Sequence, residues 1–403
     1  MLETGAEKAS ATSVEDPYED ALDRVFAAVL EREVPRWERE KAQLARLLTA
    51  VKACPGGILE LPLEADKDLN GWPLVEALLQ ASFEARFRSL EEMRTLAFAA
   101  MVAARNLSPE RYSAEMIADL QAKAWGELAN TYRITDEFEN AEDAFARASE
   151  SWEQGSGNLM ILARLLDLQA SLRRAQRRLA EALEHLSYAH QLYMHLGERH
   201  LAGRVMIKRG INTAYDGKPA EASQHLREGI SLIDPKRDPQ LTAIGRYELI
   251  HSLVDCGRFQ EAGGVLLKSG LRRAFSAQPL NLLKLRWLEA KISLGRERLP
   301  KAESALRKVQ GDFLRHGQEY DAALAGLDLA EVLLRRGRAA EVRLLAQEIL
   351  ETFEDLGIQP EALKAMRYLR TACDREVATP GMVQRVVGFL RRLEWQPQLR
   401  FAP

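Results

Sequence analysis

One spacing constrains this chain more than any other. A marker residue, small in most instances, recurs at Ala129, Ala170, Gly210, Ile250, Ala290 and Ala330, in steps of 41, 40, 40, 40 and 40 residues. Twelve positions after each stands a second marker: Ala141, Ala182, Ala222, Ala262, Ala302 and Val342. A chain with a fixed period of this length builds from repeated supersecondary units, each burying its apolar face against the next.

Within one period the pattern is that of two amphipathic helices. Trp125, Leu128, Ala129 and Tyr132 fall at i, i+3, i+4 and i+7, and Phe138, Ala141, Phe145 and Ala148 repeat helical spacing after a turn at Thr135–Asp136. The small residues let two backbones approach, and the aromatic ones fill the space around them. Pro219 and Pro300 stand where second helices begin, at positions that need no N–H. Gly217, Gly257, Gly295 and Gly337 precede those helices as C-terminal caps would. Pro235, Pro239, Pro279 and Pro360 fall between units. No segment alternates with period two, so the fold class expected is all-α: a right-handed solenoid of helix-turn-helix repeats with a period of about 40 residues.

The residues Trp125, Leu128, Ala129, Tyr132, Ala141, Phe145 and Ala148 resemble the signature of the tetratricopeptide repeat family. The other units match it more loosely, over about residues 74–393. The long repeat is similar to those in the sensor arrays of large bacterial regulators. The tail Arg391–Phe401 resembles the ends of such bacterial proteins. The expected organisation is a disordered tail over 1–16, an N-terminal helical cap and connector over 17–73, a solenoid of about seven hairpins over 74–358, and capping helices with a tail over 359–403. Ends of such arrays need atypical caps, because an uncovered apolar face aggregates.

Composition narrows the function. The 56 basic and 59 acidic residues leave a formal charge of −3, which argues against a dedicated nucleic-acid or membrane-surface protein. The three cysteines are scattered, with no disulfide framework or CxxC pair. No apolar leader or bilayer-length run is present, so a cytoplasmic location is expected. There is no P-loop, GxGxxG, GxSxG or HExxH. His185, His190, His195 and His200 are spaced by five, which points neighbours about 140° apart on a helix and makes a poor zinc site. No catalytic residue, metal or cofactor is therefore assigned.

What remains is binding. The tetratricopeptide resemblance implies that first helices line a concave groove, and the stripe beside their core positions supplies candidate partner-binding residues. These are Asn130, Arg133, Arg174, Arg204, Lys208, Tyr247, His251, Trp287 and Lys291. Tyr247 and Trp287, one repeat apart, are candidate anchors for an extended or helical peptide, unless Trp287 only completes packing between helices. Arg174, Arg204 and Lys208 would favour an acidic partner or a carboxylate. The reading is a non-enzymatic interaction scaffold or sensor in a bacterial regulatory assembly, with self-association compatible. The alternative is a regulatory subunit touching nucleic acid through Arg173–Arg178, Arg335–Arg338 and Arg391–Arg392.

Overall fold

The computed structural model describes residues 71–86 and 88–402. The tail over 1–16 and the helices expected within 17–70 lie outside them. The chain divides after Ser156 into two compact units. The first holds α1 (Trp72–Ala85), α2 (Leu90–Arg105), α3 (Ala114–Ile134) and α4 (Phe138–Glu153). The second holds the hairpins α5 (Leu159–Ala175)/α6 (Leu179–His195), α7 (Arg199–Tyr215)/α8 (Pro219–Leu232) and α9 (Pro239–Asp255)/α10 (Phe259–Lys268). A short α11 (Leu271–Ala274) precedes α12 (Pro279–Gly295)/α13 (Leu299–Arg315) and α14 (Glu319–Arg335)/α15 (Ala339–Asp355). Helices α16 (Pro360–Asp374) and α17 (Pro380–Trp395) end the chain. There is no strand among the described residues.

The period is written into the turns. The residue between first and second helix adopts the left-handed conformation at Asp136, Arg177, Gly217, Gly257, Glu297 and Gly337, again in steps of 41, 40, 40, 40 and 40. Each turn closes with the same bond, from the N–H three residues beyond the last helical residue to a carbonyl five residues earlier. Lys218 N bonds Thr213 O at 3.1 Å, Arg258 N bonds Leu253 O at 2.8 Å, and Arg338 N bonds Leu333 O at 2.9 Å. This six-to-one bond satisfies carbonyls that a helix end leaves orphaned.

Gly295 departs from the expected role. It lies inside α12, and Glu297 takes the left-handed position instead. Gly295 is small for a packing reason, since a Cβ there would sit 2.3 Å from the ring of Phe259. The prolines read as unit boundaries also do more than stop helices: Pro239, Pro279 and Pro360 each open the next first helix. Helix starts elsewhere carry side-chain caps, such as Ser113 accepting from Met116 N and Asp238 from Leu241 N.

Every marker residue of the repeat is buried. In the first unit Val75, Leu78, Met93, Leu96, Ala97 and Leu128 share one core. In the second unit α7 and α8 approach closely. A Cβ on Gly229 would stand 2.8 Å from Ile207 N and 2.9 Å from Gly203 O, and a Cβ on Gly203 would stand 2.8 Å from Gly229 O. Backbone lies on both sides, so relief requires the helices to separate. Gly229→Ala is expected to destabilise the chain by about 1–3 kcal/mol. Gly311→Ala, on α13 with open space at its Cβ, should instead be neutral or add up to about 1 kcal/mol. Urea unfolding of the two variants checks the contrast.

Candidate functional site

In the second unit α5, α7, α9, α12 and α14 are the first helices of their hairpins, and their shared face carries the candidate residues. The 40-residue step places equivalent side chains in rows: Tyr247 and Trp287 in one, His251, Lys291 and Glu331 in another, Tyr215 and Asp255 in a third. Across these rows lies α17. It is not a further layer at the end of the array but turns back over the first helices.

The sequence of α17 explains the placement. Val383, Val386, Val387, Phe389, Leu390 and Leu393 are buried and join the core formed with α14, α15 and α16. At about 1.5–3 kcal/mol for each apolar side chain, this burial is on the order of 10 kcal/mol. Helix α17 is thus a fixed wall and not a loosely held segment. The tail reinforces it: Phe401 is buried against Tyr368 and Phe389, its N–H donates to Glu361, and its carbonyl accepts from Lys364.

A second stripe of α17 faces the rows. Gln384, Gly388, Arg391 and Trp395 recur at i, i+4, i+7 and i+11, on one side of a helix. Gln384 Nε2 donates to Glu331 Oε1 at 2.7 Å, and Arg391 Nη1 donates to Asp255 Oδ1 at 2.7 Å. Trp395 stacks on Tyr215 with ring centroids 3.9 Å apart and planes 8° from parallel. Asp255 is the last residue of α9, where the helix dipole disfavours an anion. Burial would also raise its pKa. Yet His251 at 3.2 Å, Arg391, and Lys291 at 3.6 Å hold the carboxyl well below the usual range. The Lys291 ammonium makes no hydrogen bond; burial lowers its pKa, against the pull of Asp255.

Four of the sequence-derived candidates, Tyr247, His251, Trp287 and Lys291, meet around one cavity of about 280 Å³, whose wall on the other side is Arg391 and Trp395 of α17. Trp287 also completes helix packing. Its indole N–H donates to Asp328 on α14 at 2.7 Å, and its ring meets Phe313 edge-on at 5.6 Å. Four aromatic side chains, Tyr215, Tyr247, Trp287 and Trp395, line the cavity. Its cations are largely committed: Arg391 and Lys291 to Asp255, Lys284 to Asp321 at 3.6 Å. Glu248 lines the same cavity with no hydrogen bond or ion pair among the described residues. Burial pushes its pKa up, and Asp255 adds to the effect against His251 and Lys284. Glu394 is raised likewise, chiefly by burial.

The remaining candidates lie elsewhere. Asn130 and Arg133 are on α3 of the first unit, where the Asn130 carbonyl accepts from Arg133 at 2.9 Å. Arg174 is near the end of α5 and does not line the cavity. Arg204 and Lys208, expected to hold an acidic partner, are already held by Asp167, at 2.8 and 2.6 Å. That carboxylate is fully buried, and Arg164 stands 3.5 Å from it. Burial would raise its pKa, but Lys208, Arg204 and Arg164 together hold it far below the carboxylate range. Three cations on one anion leave Lys208 the weakest, drawn down to about 8 by burial and by Arg204. The arginine-rich turns are also paired in large part. Arg178 bonds Glu181, Arg335 bonds Glu297 and Glu331, Arg336 and Arg338 bond Glu303, and Arg391 bonds Asp255.

Asp255, Glu248, Tyr215 and, apart from Arg391, the α17 stripe were not among the sequence candidates. The spacing of Gln384, Gly388, Arg391 and Trp395 was a usable signal, but only once α17 is known to lie against the first helices.

Removing the buried anion tests the ionic cluster between α5 and α7. Asp167→Asn leaves Arg204 and Lys208 without a counter-charge and is expected to cost about 3–5 kcal/mol in urea unfolding. Because the folded state depresses the Asp167 pKa, its contribution is present above the ordinary carboxylate value and is lost only as pH falls through the depressed one. The wild-type cluster should therefore survive mild acid.

No protein-family model matches the sequence, and no curated protein matches it. Among solved structures the chain is similar to the apo form of RapI, with a TM-score of 0.58 and 10% identity over 79% of this chain and 86% of that one. It is similar to a Rap protein complexed with Competence and Sporulation Factor, with a TM-score of 0.51 and 9% identity over 80% and 92% of the two chains. It is also similar to aspartyl phosphate phosphatase F from Bacillus subtilis, with a TM-score of 0.51 and 12% identity over 86% and 96%. At these identities the likeness is one of fold: stacked helical hairpins without strands.

Proposed function

We propose that this chain is a non-enzymatic interaction protein of a bacterial regulatory assembly, and that its second unit takes a basic side chain of a protein or peptide partner into the cavity beside α17. The observation that carries the proposal is Glu248, a carboxylate without a partner, in a cavity walled by four aromatic rings. An isolated carboxylate in such a place is costly unless a cation joins it. Aromatic faces attract the same cation through their quadrupoles, and a planar guanidinium also stacks on them. A cavity of about 280 Å³ admits one long side chain more readily than a whole ligand. The neighbour complexed with Competence and Sporulation Factor supports a binding role for this fold. This reading reverses the charge expected of the partner, because Arg204 and Lys208 are consumed by Asp167 whereas Glu248 is not.

The test uses the tryptophan fluorescence of the full chain, titrated with blocked helical peptides that carry Arg, Lys, Gln or Glu at one central position. The Arg and Lys peptides are expected to perturb the emission saturably and the Glu peptide is not. Affinity should fall from mildly alkaline to mildly acidic solution, because protonating Glu248 removes the charge the ligand seeks. Trp287→Ala should weaken binding about tenfold.

Glu248→Gln separates function from folding. Between the ordinary carboxylate pKa and the raised one, the folded chain keeps a proton that the unfolded chain has released, so stability declines as pH rises through that window. The neutral amide is spared this loss. Glu248→Gln should therefore melt no lower than the wild type at neutral pH while losing the Arg-peptide response. Retained binding by that variant, or equal binding of the Glu peptide, would remove the proposal.

A further inference from the structure

A different region of the second unit carries the opposite imbalance of charge. The second helices α6, α13 and α15 each run 17 residues and α8 runs 14, but α10 stops after 10. The chain leaves it through Gly270, in the left-handed conformation, and Leu271 and Phe275 bury themselves below. The missing helical turns open a notch of about 900 Å³ between the end of α10, α11, α12 and α13.

Seven cationic side chains and a single carboxylate, Glu289, line this notch. Arg272 is paired with Glu289 at 3.0 Å, Arg286 lies 3.7 Å from Asp312, and Arg296 donates to the carbonyls of Phe259 and Gln260. Arg273, Arg298, Lys301 and Lys308 are exposed and make no side-chain ion pair or hydrogen bond among the described residues. Such a concentration stands out in a chain whose formal charge is −3 and whose other arginines are so often paired. The floor is apolar, with Leu266, Leu271, Ile292 and Val309, and at the lip Leu267 is 87% exposed, the most of any large apolar residue described.

We propose that this notch is a docking site for an acidic amphipathic helix of a partner protein. Its aspartates and glutamates would meet the four unpaired cations, and its apolar stripe would cover Leu267 and the floor. Charge complementarity selects the sign of the partner. The apolar floor selects polypeptide over nucleic acid, because a phosphodiester backbone offers cations their counter-charge but has no aliphatic face with which to cover leucine. The volume matches what a few inserted side chains occupy. This site is separate from the cavity beside α17 and does not depend on the reading given to it.

Fluorescence anisotropy of the full chain tests the assignment with three labelled probes. One is a four-turn peptide with Leu at i, i+3, i+4 and i+7 and Glu at most other positions. The second is the same composition permuted so that no apolar stripe forms, and the third is a single-stranded oligothymidylate of equal length. The striped peptide is expected to bind at least about tenfold more tightly than either of the others, and to weaken with added salt. The substitutions Lys301→Glu with Lys308→Glu should lose about tenfold or more, and Leu267→Ala several-fold. All three positions are exposed, so unchanged circular dichroism and an unchanged urea-unfolding midpoint would show that the variants remain folded. Equal binding of the permuted peptide or the oligonucleotide, indifference to Leu267→Ala, or no binding of the striped peptide would overturn the assignment.

Discussion

The left-handed residue in each hairpin turn fixes how one repeat follows another, and the chemistry of the second unit depends on it. With one such residue and one six-to-one bond per turn, successive first helices end in the same way, 40 residues apart. Equivalent side chains then stand in rows across the array. Tyr247 and Trp287 become neighbours for this reason, as do His251, Lys291 and Glu331. A one-residue change in a turn would rotate the helices that follow by about 100° and scatter each row over different faces. Where a bulky residue takes the left-handed position, as at Arg177 and Glu297, the backbone accepts a cost of about 1–2 kcal/mol to keep that register.

On this regular face α17 imposes an irregular boundary. Its apolar side is part of the core with α14 and α16, so its polar stripe is presented to the rows at a fixed depth. The ion cluster around Asp255 follows from that presentation. A carboxylate at a helix C-terminus, partly enclosed, is tenable because His251, Lys291 and Arg391 converge on it from three helices. Their commitment to Asp255 is what leaves Glu248, seven residues earlier on the same helix, without a cation of its own. The cavity is therefore polar in a directed way and not merely vacant.

How much of this was legible in the sequence depends on the range over which each feature is determined. The repeat, the absence of strands among the described residues and the helix limits near Pro219 and Pro300 are set by local spacing and backbone chemistry, and the sequence carries them openly. Gly295 shows the limit of that logic, since its smallness answers to Phe259 in the preceding hairpin and not to its own turn. Tyr247, His251, Trp287 and Lys291 were found together because the 40-residue step is exact enough to align them. The identity of the opposite wall was not, because nothing local in Pro380–Trp395 says that the helix turns back across the first helices. Likewise Asp167 reads as one acid in an apolar helix, and only the packing of α5 on α7 shows that it cancels Arg204 and Lys208.

Net charge proved the least informative of the sequence quantities, and the reason is physical. Within a Debye length of about 8–10 Å a partner senses local charge and not the sum over the chain. In the second unit several acidic and basic side chains neutralise one another across neighbouring hairpins, as Arg307 does with Glu341 and Arg227 with Glu261. Two concave places carry unpaired charge. One leaves a carboxylate among aromatic rings, and the other leaves four cations around exposed leucine. A total of −3 is equally compatible with a featureless surface and with two sites of opposite sign. The distinction lies in where neighbouring hairpins pair their charges and where α17 and the shortened α10 leave charges unpaired. Where a terminal helix or a shortened one alters the neighbours of the first helices, unpaired charge of one sign collects in a concave place, and that is where the field a partner meets is strongest.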